Sequence, residues 1–275
     1  MRGEELSKVY EIADWGDNPW SEKGRKRYEE ALATFRSLMR HDWFTALPKK
    51  VRVLDIGAGR GIGGVALAKV LKEGGRVAEL LMIDLREDAL KDAERFAEEE
   101  GVEAEVGVHD ALNAHELGRF DIVLMYGAIL AHFDEWSFIR LLSSAAEALR
   151  GEGVVIIEEF DRVDHVFRAG FKDMLMERRD PRDPSLSYHL RYDPLTGTYT
   201  RVLLRLRGME AAEVGVNFRS VAHIASALWV FVSDVDIVGK GGGFYLVLGR
   251  GPRRGPSPEE LAHNPRALSP EHFRL

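Results

Sequence analysis

The stretch Val53–Gly64, VLDIGAGRGIGG, constrains the fold of this 275-residue chain more than any other. A short β-branched and apolar run, Val51–Ile56, breaks into five glycines within eight positions and then into helical spacing from Val65 to Leu71. That is a buried strand feeding a helix through a loop with few side chains. Gly57, Gly59 and Gly61 let a ligand lie against the backbone, and the helix N-terminus beyond offers free amides.

The same unit recurs downstream. Ala78–Ile83 reads as a second strand ending at Asp84, and Glu87–Glu100 as a helix buried through Leu90, Ala93, Phe96 and Ala97. Val102–Val108 reads as a third strand ending at Asp110, and Asp121–Met125 as a fourth. Trp136–Arg150 reads as a helix stopped by Gly151, and Val154–Ile157 as a fifth strand. Strand alternating with helix favours right-handed crossovers and a parallel sheet, so 49–160 is expected to be a doubly wound α/β core. Before it, 1–48 reads as a helical cap, since Tyr28, Ala31, Leu32, Phe35, Leu38 and Met39 fall on one helical face. After it, 161–213 is an insert whose Ser187–Tyr192 and Thr198–Arg207 flank the turn Asp193-Pro194-Leu195-Thr196-Gly197, a small β-hairpin lid. Residues 214–250 hold a helix, Ser220–Val230, and a closing hairpin of Asp234–Val238 and Phe244–Leu248. The proline-rich 251–275 reads as an extended tail.

Composition narrows the chemistry. With no cysteine, thiolate metal sites, disulfides and cysteine nucleophiles are excluded, and no metal site is expected. The net charge of −7, from 38 basic and 45 acidic residues, argues against binding the phosphate backbone of nucleic acid. No apolar run approaches the ~20 residues of a spanning helix, and the charged start lacks a signal-peptide core. A cytoplasmic protein is expected. The absence of glutamine and the four asparagines suggest a thermophilic source.

The glycine loop alone leaves two cofactors open. Gly59, Gly61 and Gly64 satisfy the G-x-G-x-x-G spacing of dinucleotide binders, with Asp84 standing where a ribose-binding acid would. Three features weigh against NAD(P). Asp55 sits uneasily beside a pyrophosphate and suits a cationic ligand or a network organising the loop. A second acid, Asp110, closes the third strand, and an insert with a closing hairpin follows the fifth.

These residues resemble the class I S-adenosylmethionine-dependent methyltransferases, over about 50–160 and the hairpin at 234–249. VLDIGAGRG looks like that family's first motif, LLMIDLRED like its second, VGVHDAL like its third, and FDIVLMYGAILAHF like its strand-four region. The resemblance implies a Rossmann-like, seven-stranded sheet with an antiparallel last strand and S-adenosyl-L-methionine as cofactor. It implies that Gly57, Ala58 and Gly59 lie under the methionine part. Asp84, with Leu85 beside it, would accept the ribose hydroxyls, and Asp110 and Ala111 would meet the adenine. Tyr126 and Gly127 would face the sulfonium and the acceptor. An aromatic of the N-terminal segment (Tyr10, Trp15 or Trp20) could shield the sulfonium. Each residue also has a plainer reading: Asp84 as a helix cap, Asp110 as a loop acid, Tyr126 as a core aromatic, the three N-terminal aromatics as packing.

A base is needed only if the acceptor carries a proton. Tyr126, Glu158 and His132 are the candidates, with Glu159 and His165 behind them; alternation lets only one glutamate face the cleft, and Glu158 is preferred. The acceptor is expected to be a small molecule under the lid, because cysteine is absent and strand four ends in MYGA rather than an Asn/Asp-Pro-Pro run. Arg201, Arg205 and Arg207 share a strand face that reads as solvated, with anion binding as the alternative. An NAD(P)-dependent oxidoreductase and a non-catalytic scaffold or sensor remain the competing readings. The oligomeric state is not legible.

Overall fold

The computed structural model describes residues 3–253 and 255–268. Its centre is a seven-stranded sheet. Five strands are parallel: β1 (Lys50–Ile56), β2 (Val77–Asp84), β3 (Ala104–Val108), β4 (Phe120–Met125) and β5 (Leu149–Phe160). Four further strands, β6 (Met174–Arg178), β7 (Ser185–Asp193), β8 (Thr198–Arg205) and β9 (Glu210–Val216), form a separate antiparallel sheet. The chain returns through β10 (Val232–Gly241) and β11 (Phe244–Pro252), which close the main sheet in the order β10-β11-β5-β4-β1-β2-β3, with β11 antiparallel to β5. This is the doubly wound sheet with an antiparallel last strand that the sequence implied.

Helices cover both faces because the inner strands are apolar on both. On one side α2 (Glu22–Leu38), the short α3 (Asp42–Thr45), α4 (Ile62–Glu73) and α5 (Glu87–Glu99) bury Phe35, Phe44, Leu67 and Phe96. On the other, α6 (Glu135–Glu147) and α8 (Val221–Phe231) bury Phe138, Leu142, Ile224 and Leu228. A third, smaller core joins α1 (Gly3–Ala13) to the second sheet through Val9, Ile12, Leu203 and Val214. Helix α7 (Arg162–Ala169) links β5 to β6.

Several boundaries differ from the sequence reading, each for a local reason. The helix expected to reach Arg150 ends at Glu147, because Leu149 already pairs with Phe120 before a register shift ahead of Val154. The insert is a four-stranded sheet, not a lone hairpin: β6 and β9 are short, and polar and apolar residues do not alternate along MLMER or EAAEVGV. β9 runs to Val216, past the boundary expected at 213. The tail's described part is docked: Ser143 donates to the Pro256 carbonyl (2.6 Å), and His115 meets Glu259 (2.8 Å). Positions 254 and 269–275 of that expected tail lie outside the described residues.

Candidate active site

Two acids beneath the sheet's C-terminal edge hold the glycine loop. Gly57 and Gly59 take left-handed φ of 68° and 55°, a conformation that favours glycine. The Gly59 amide donates to Asp84 Oδ2 (2.8 Å), and Ala58 N to the Ile83 carbonyl (3.0 Å). The Gly64 amide donates to Asp55 Oδ2 (2.8 Å), and a Cβ at Gly64 would stand 2.6 Å from that oxygen. Burial pushes the Asp55 carboxyl up to about 8, against the Gly64 amide's opposite pull and with help from Asp84. Asp55 therefore organises the loop from within; it does not face a ligand.

Above the loop opens a cavity of about 960 Å³, at the large end of small-molecule sites. It lies at the carboxyl ends of β1, β4 and β5, where the strand order reverses. Gly57–Gly59 form part of its wall; Leu175, Leu203, Val214 and Val216 of the second sheet form another. Between them stands a polar cluster. Glu158, 5% exposed, accepts from the Gly127 amide (3.0 Å) and pairs with Lys240, whose Nζ also donates to the Tyr126 hydroxyl (3.2 Å). Burial, then the Glu158 charge, raise the Tyr126 phenol above its ordinary value. Lys240 reaches the cavity because β10 bulges there: Gly239 pairs with Tyr245 and Gly241 with Phe244, leaving Lys240 outside the ladder. Such a bulge re-aims a side chain.

The N-terminal segment closes one side. The Arg86 guanidinium, 3% exposed, contacts Asp17 Oδ2 (3.0 Å) and Asp84 Oδ1 (3.4 Å) and lies 3.9 Å from the Tyr10 ring centroid. Burial opposes its charge, but Asp84, Tyr10 and Asp17 more than offset that and hold it above its ordinary value. His132 packs against Tyr10 and Trp15, each ring 6.0 Å away; burial, with Arg162 and Arg86 nearby, pushes its imidazole down to about 4.

Comparison with known proteins places this geometry. Residues 53–153 match the methyltransferase domain family. The matched stretch holds the glycine loop and strands β1 to β4 of the Rossmann-like sheet. Solved structures share the fold at low identity. An S-adenosylmethionine-dependent methyltransferase from Clostridium acetobutylicum superposes with a TM-score of 0.63 at 12% identity, over 90% of this chain and 98% of that one. The PH0226 protein of Pyrococcus horikoshii does so at 0.61 and 17%, over 89% and 98%. CalS10, an amino pentose methyltransferase from Micromonospora echinaspora, does so at 0.57 and 16%, over 88% and 96%. No curated protein matches the chain.

The expected site residues separate by whether they reach the cavity. Gly57, Ala58, Gly59, Tyr126, Gly127, Glu158 and His132 line the cavity, as do Tyr10 and Trp15. Asp84 lies just beneath, with both oxygens taken by the Gly59 and Arg86 amides. Leu85 is covered by Gly3 of α1, whose Cβ position is 2.0 Å from the Leu85 carbonyl. Asp110 is exposed and caps the turn at 111–117 through the Leu112 amide (2.9 Å), while Ala111 packs on the second core; neither lines the cavity. Glu159 faces the opposite side with Arg162 (3.2 Å), His165 is exposed, and Trp20 bonds Glu99 against Phe96.

Of the three arginines expected on a solvated face, only Arg207 is exposed. Arg201 lines the cavity, paired with Glu177, and Arg205 bonds the Glu11 carbonyl of α1; Arg207 lies past the end of β8. Sequence reasoning missed Lys240, Arg86, Asp17 and Glu177. Only Lys240 left a trace, as a lone charge within a run of glycines.

Among the described residues, no helix is long and apolar enough to cross a membrane.

Proposed function

We propose that the protein transfers a methyl group from S-adenosylmethionine to a small-molecule acceptor. One observation carries the reading: a single cavity joins the glycine loop, the polar cluster at Glu158 and the apolar wall of the second sheet. The loop fits the cofactor, since its backbone is free of side chains at Gly57 and Gly59 and an acid stands beside it at Asp84. Gly57, Ala58 and Gly59 would hold the methionine part, Asp84 and Leu85 the ribose, and Asp110 and Ala111 would meet the adenine beyond the present wall of the cavity. When bound, the cofactor supplies a methyl carbon already activated by a positive sulfur.

The chain's own work is alignment and exclusion of water. Alignment for in-line displacement is worth up to roughly 7–11 kcal/mol for well-oriented reactants. Leu175, Leu203, Val214 and Val216 present an apolar wall to the acceptor. For an acceptor bearing a proton, Glu158 is the group set to take it, directly or through the Tyr126 hydroxyl, while Lys240 keeps the carboxylate paired. His132 is the weaker candidate, backed by the Tyr10 and Trp15 rings. Two of the similar structures point the same way, since their names describe an amino pentose methyltransferase and a sugar N-methyltransferase.

The test is a panel of small hydroxyl, amine and carboxylate compounds incubated with methyl-labelled S-adenosylmethionine. Label should enter a small molecule, and Glu158→Gln should slow transfer to a proton-bearing acceptor by about 100-fold, the lower range of general acid–base effects. Label entering only protein or nucleic acid contradicts the small-molecule reading.

A further inference from the structure

The contacts around Arg86 have a consequence for how the cavity fills. Its guanidinium lies between two surfaces. Below it is the glycine loop, where a Cβ on Gly59 would stand 2.8 Å from Arg86 Nη2; above it is the Tyr10 ring. Asp84, which holds the loop through the Gly59 amide, therefore has an internal cation against it. Asp17 clamps that cation from the far side and also takes Arg60 (3.2 Å).

The elements carrying Tyr10 and Asp17 are strapped across the cleft. At one end α1 covers the Leu85 carbonyl with Gly3 and bonds Asp88 through Ser7 (2.6 Å). At the other it is fastened to the second sheet: Ser185 donates to the Ile12 carbonyl (2.8 Å), and Arg178 and Arg205 both donate to the Glu11 carbonyl (2.9 Å). Trp15 stacks edge-on against Tyr10 (5.1 Å) and bonds Glu177 (3.1 Å). Between α1 and the turn carrying Asp17, the backbone is left-handed at Asp14 (φ 51°) and at Gly16 (φ 71°). A non-glycine residue in that region is uncommon, and such conformations cluster at switch segments.

We infer that Arg86 is an internal occupant of the nucleoside end of the cleft, latched by Asp17 and Tyr10, and that ligand binding requires it to be turned out. This rests on the methyltransferase reading, because a ribose is what would compete with Arg86 for Asp84. Loosening the latch while leaving Asp84 and the glycine loop intact should then ease binding. Such behaviour is the reduction of apparent affinity that follows when the competent conformation is only a fraction of the population.

The test follows S-adenosylhomocysteine binding by calorimetry and by stopped-flow tryptophan fluorescence, in the wild type, Asp17→Asn and Tyr10→Leu. In the wild type the observed rate should level off at high ligand concentration, limited by opening. Both variants should raise that plateau and tighten binding by about fivefold, roughly what loss of one kcal/mol from the closed state gives. Hydrogen exchange of the free variants should be faster than wild type over residues 3–13. Unchanged or weaker binding in both variants, with a rate that rises linearly throughout, overturns the latch and leaves the methyltransferase reading standing. Absence of binding to all three proteins overturns both; binding to the variants alone supports both.

Discussion

Asp55 shows how a single buried acid can organise a loop and burden stability together. Its Oδ1 has no hydrogen-bond partner among the described residues, while Oδ2 anchors the Gly64 amide. An unfolded aspartate ionises near pH 4, whereas burial holds this one protonated to about 8. Between those values the folded state carries the extra proton, so stability falls as pH rises, by up to about 1.4 kcal/mol per pH unit, and the loss ends above the folded value. Asp55→Asn cannot ionise. It should become progressively more stable than the wild type from pH 5 to 8 in urea unfolding; parallel curves for the two proteins would show that Asp55 is already ionised in the fold. The Gly57–Gly59 loop was legible from sequence because glycine density reports backbone need directly. Arg86 was not: it stands two residues after Asp84, but the Asp17 partner that gives it meaning is 69 positions away.

At the scale of elements, strands with apolar residues on both faces announced themselves, and so did the helices between them. The second sheet did not. Its strands bury Ser185, Ser187, Leu203 and Val214 on one side and leave Met174 and Met176 exposed on the other, so serines sit on the buried face and methionines on the open one, and hydrophobicity does not mark the faces. Just past β9, Arg219 is 3% exposed and donates to the Leu130 (2.8 Å) and Phe133 (2.7 Å) carbonyls and to Glu135 (3.0 Å), over the Phe138 ring. Sequence spacing gives no hint of this, because an arginine ordinarily reads as surface. Arg219→Met keeps the bulk but strips the Phe133 carbonyl of its donor, whereas the Leu130 carbonyl keeps the Phe133 amide (3.2 Å). Urea unfolding should show a loss of about 1–3 kcal/mol, the cost of one orphaned buried carbonyl. A loss below about 0.5 kcal/mol, the range of an ordinary surface change, would mean that other contacts hold residues 129–134.

Over the whole molecule, the chain divides its labour between a sheet that positions a backbone loop and appended parts that enclose it. The core was readable because its motifs follow one another in sequence; the enclosure was not, because α1, the second sheet and the β10–β11 bulge meet only in space. That enclosure supplies Tyr10, Trp15, Glu177, Arg201 and Lys240 to the same cavity as Gly57 and Glu158. The net charge of −7 also takes on local meaning, since Asp17, Asp84, Glu158 and Glu177 each face a cation at or beneath this cavity. Direct titration of S-adenosylhomocysteine into the protein, with NADH as the competing ligand, decides whether the glycine loop holds this cofactor. Saturable binding of S-adenosylhomocysteine alone is expected, weakened by at least about tenfold (1.4 kcal/mol) in Gly59→Ala, whose Cβ would enter the loop at a φ of 55°. Binding of NADH without S-adenosylhomocysteine, or binding untouched by Gly59→Ala, would contradict the methyltransferase assignment of this cavity.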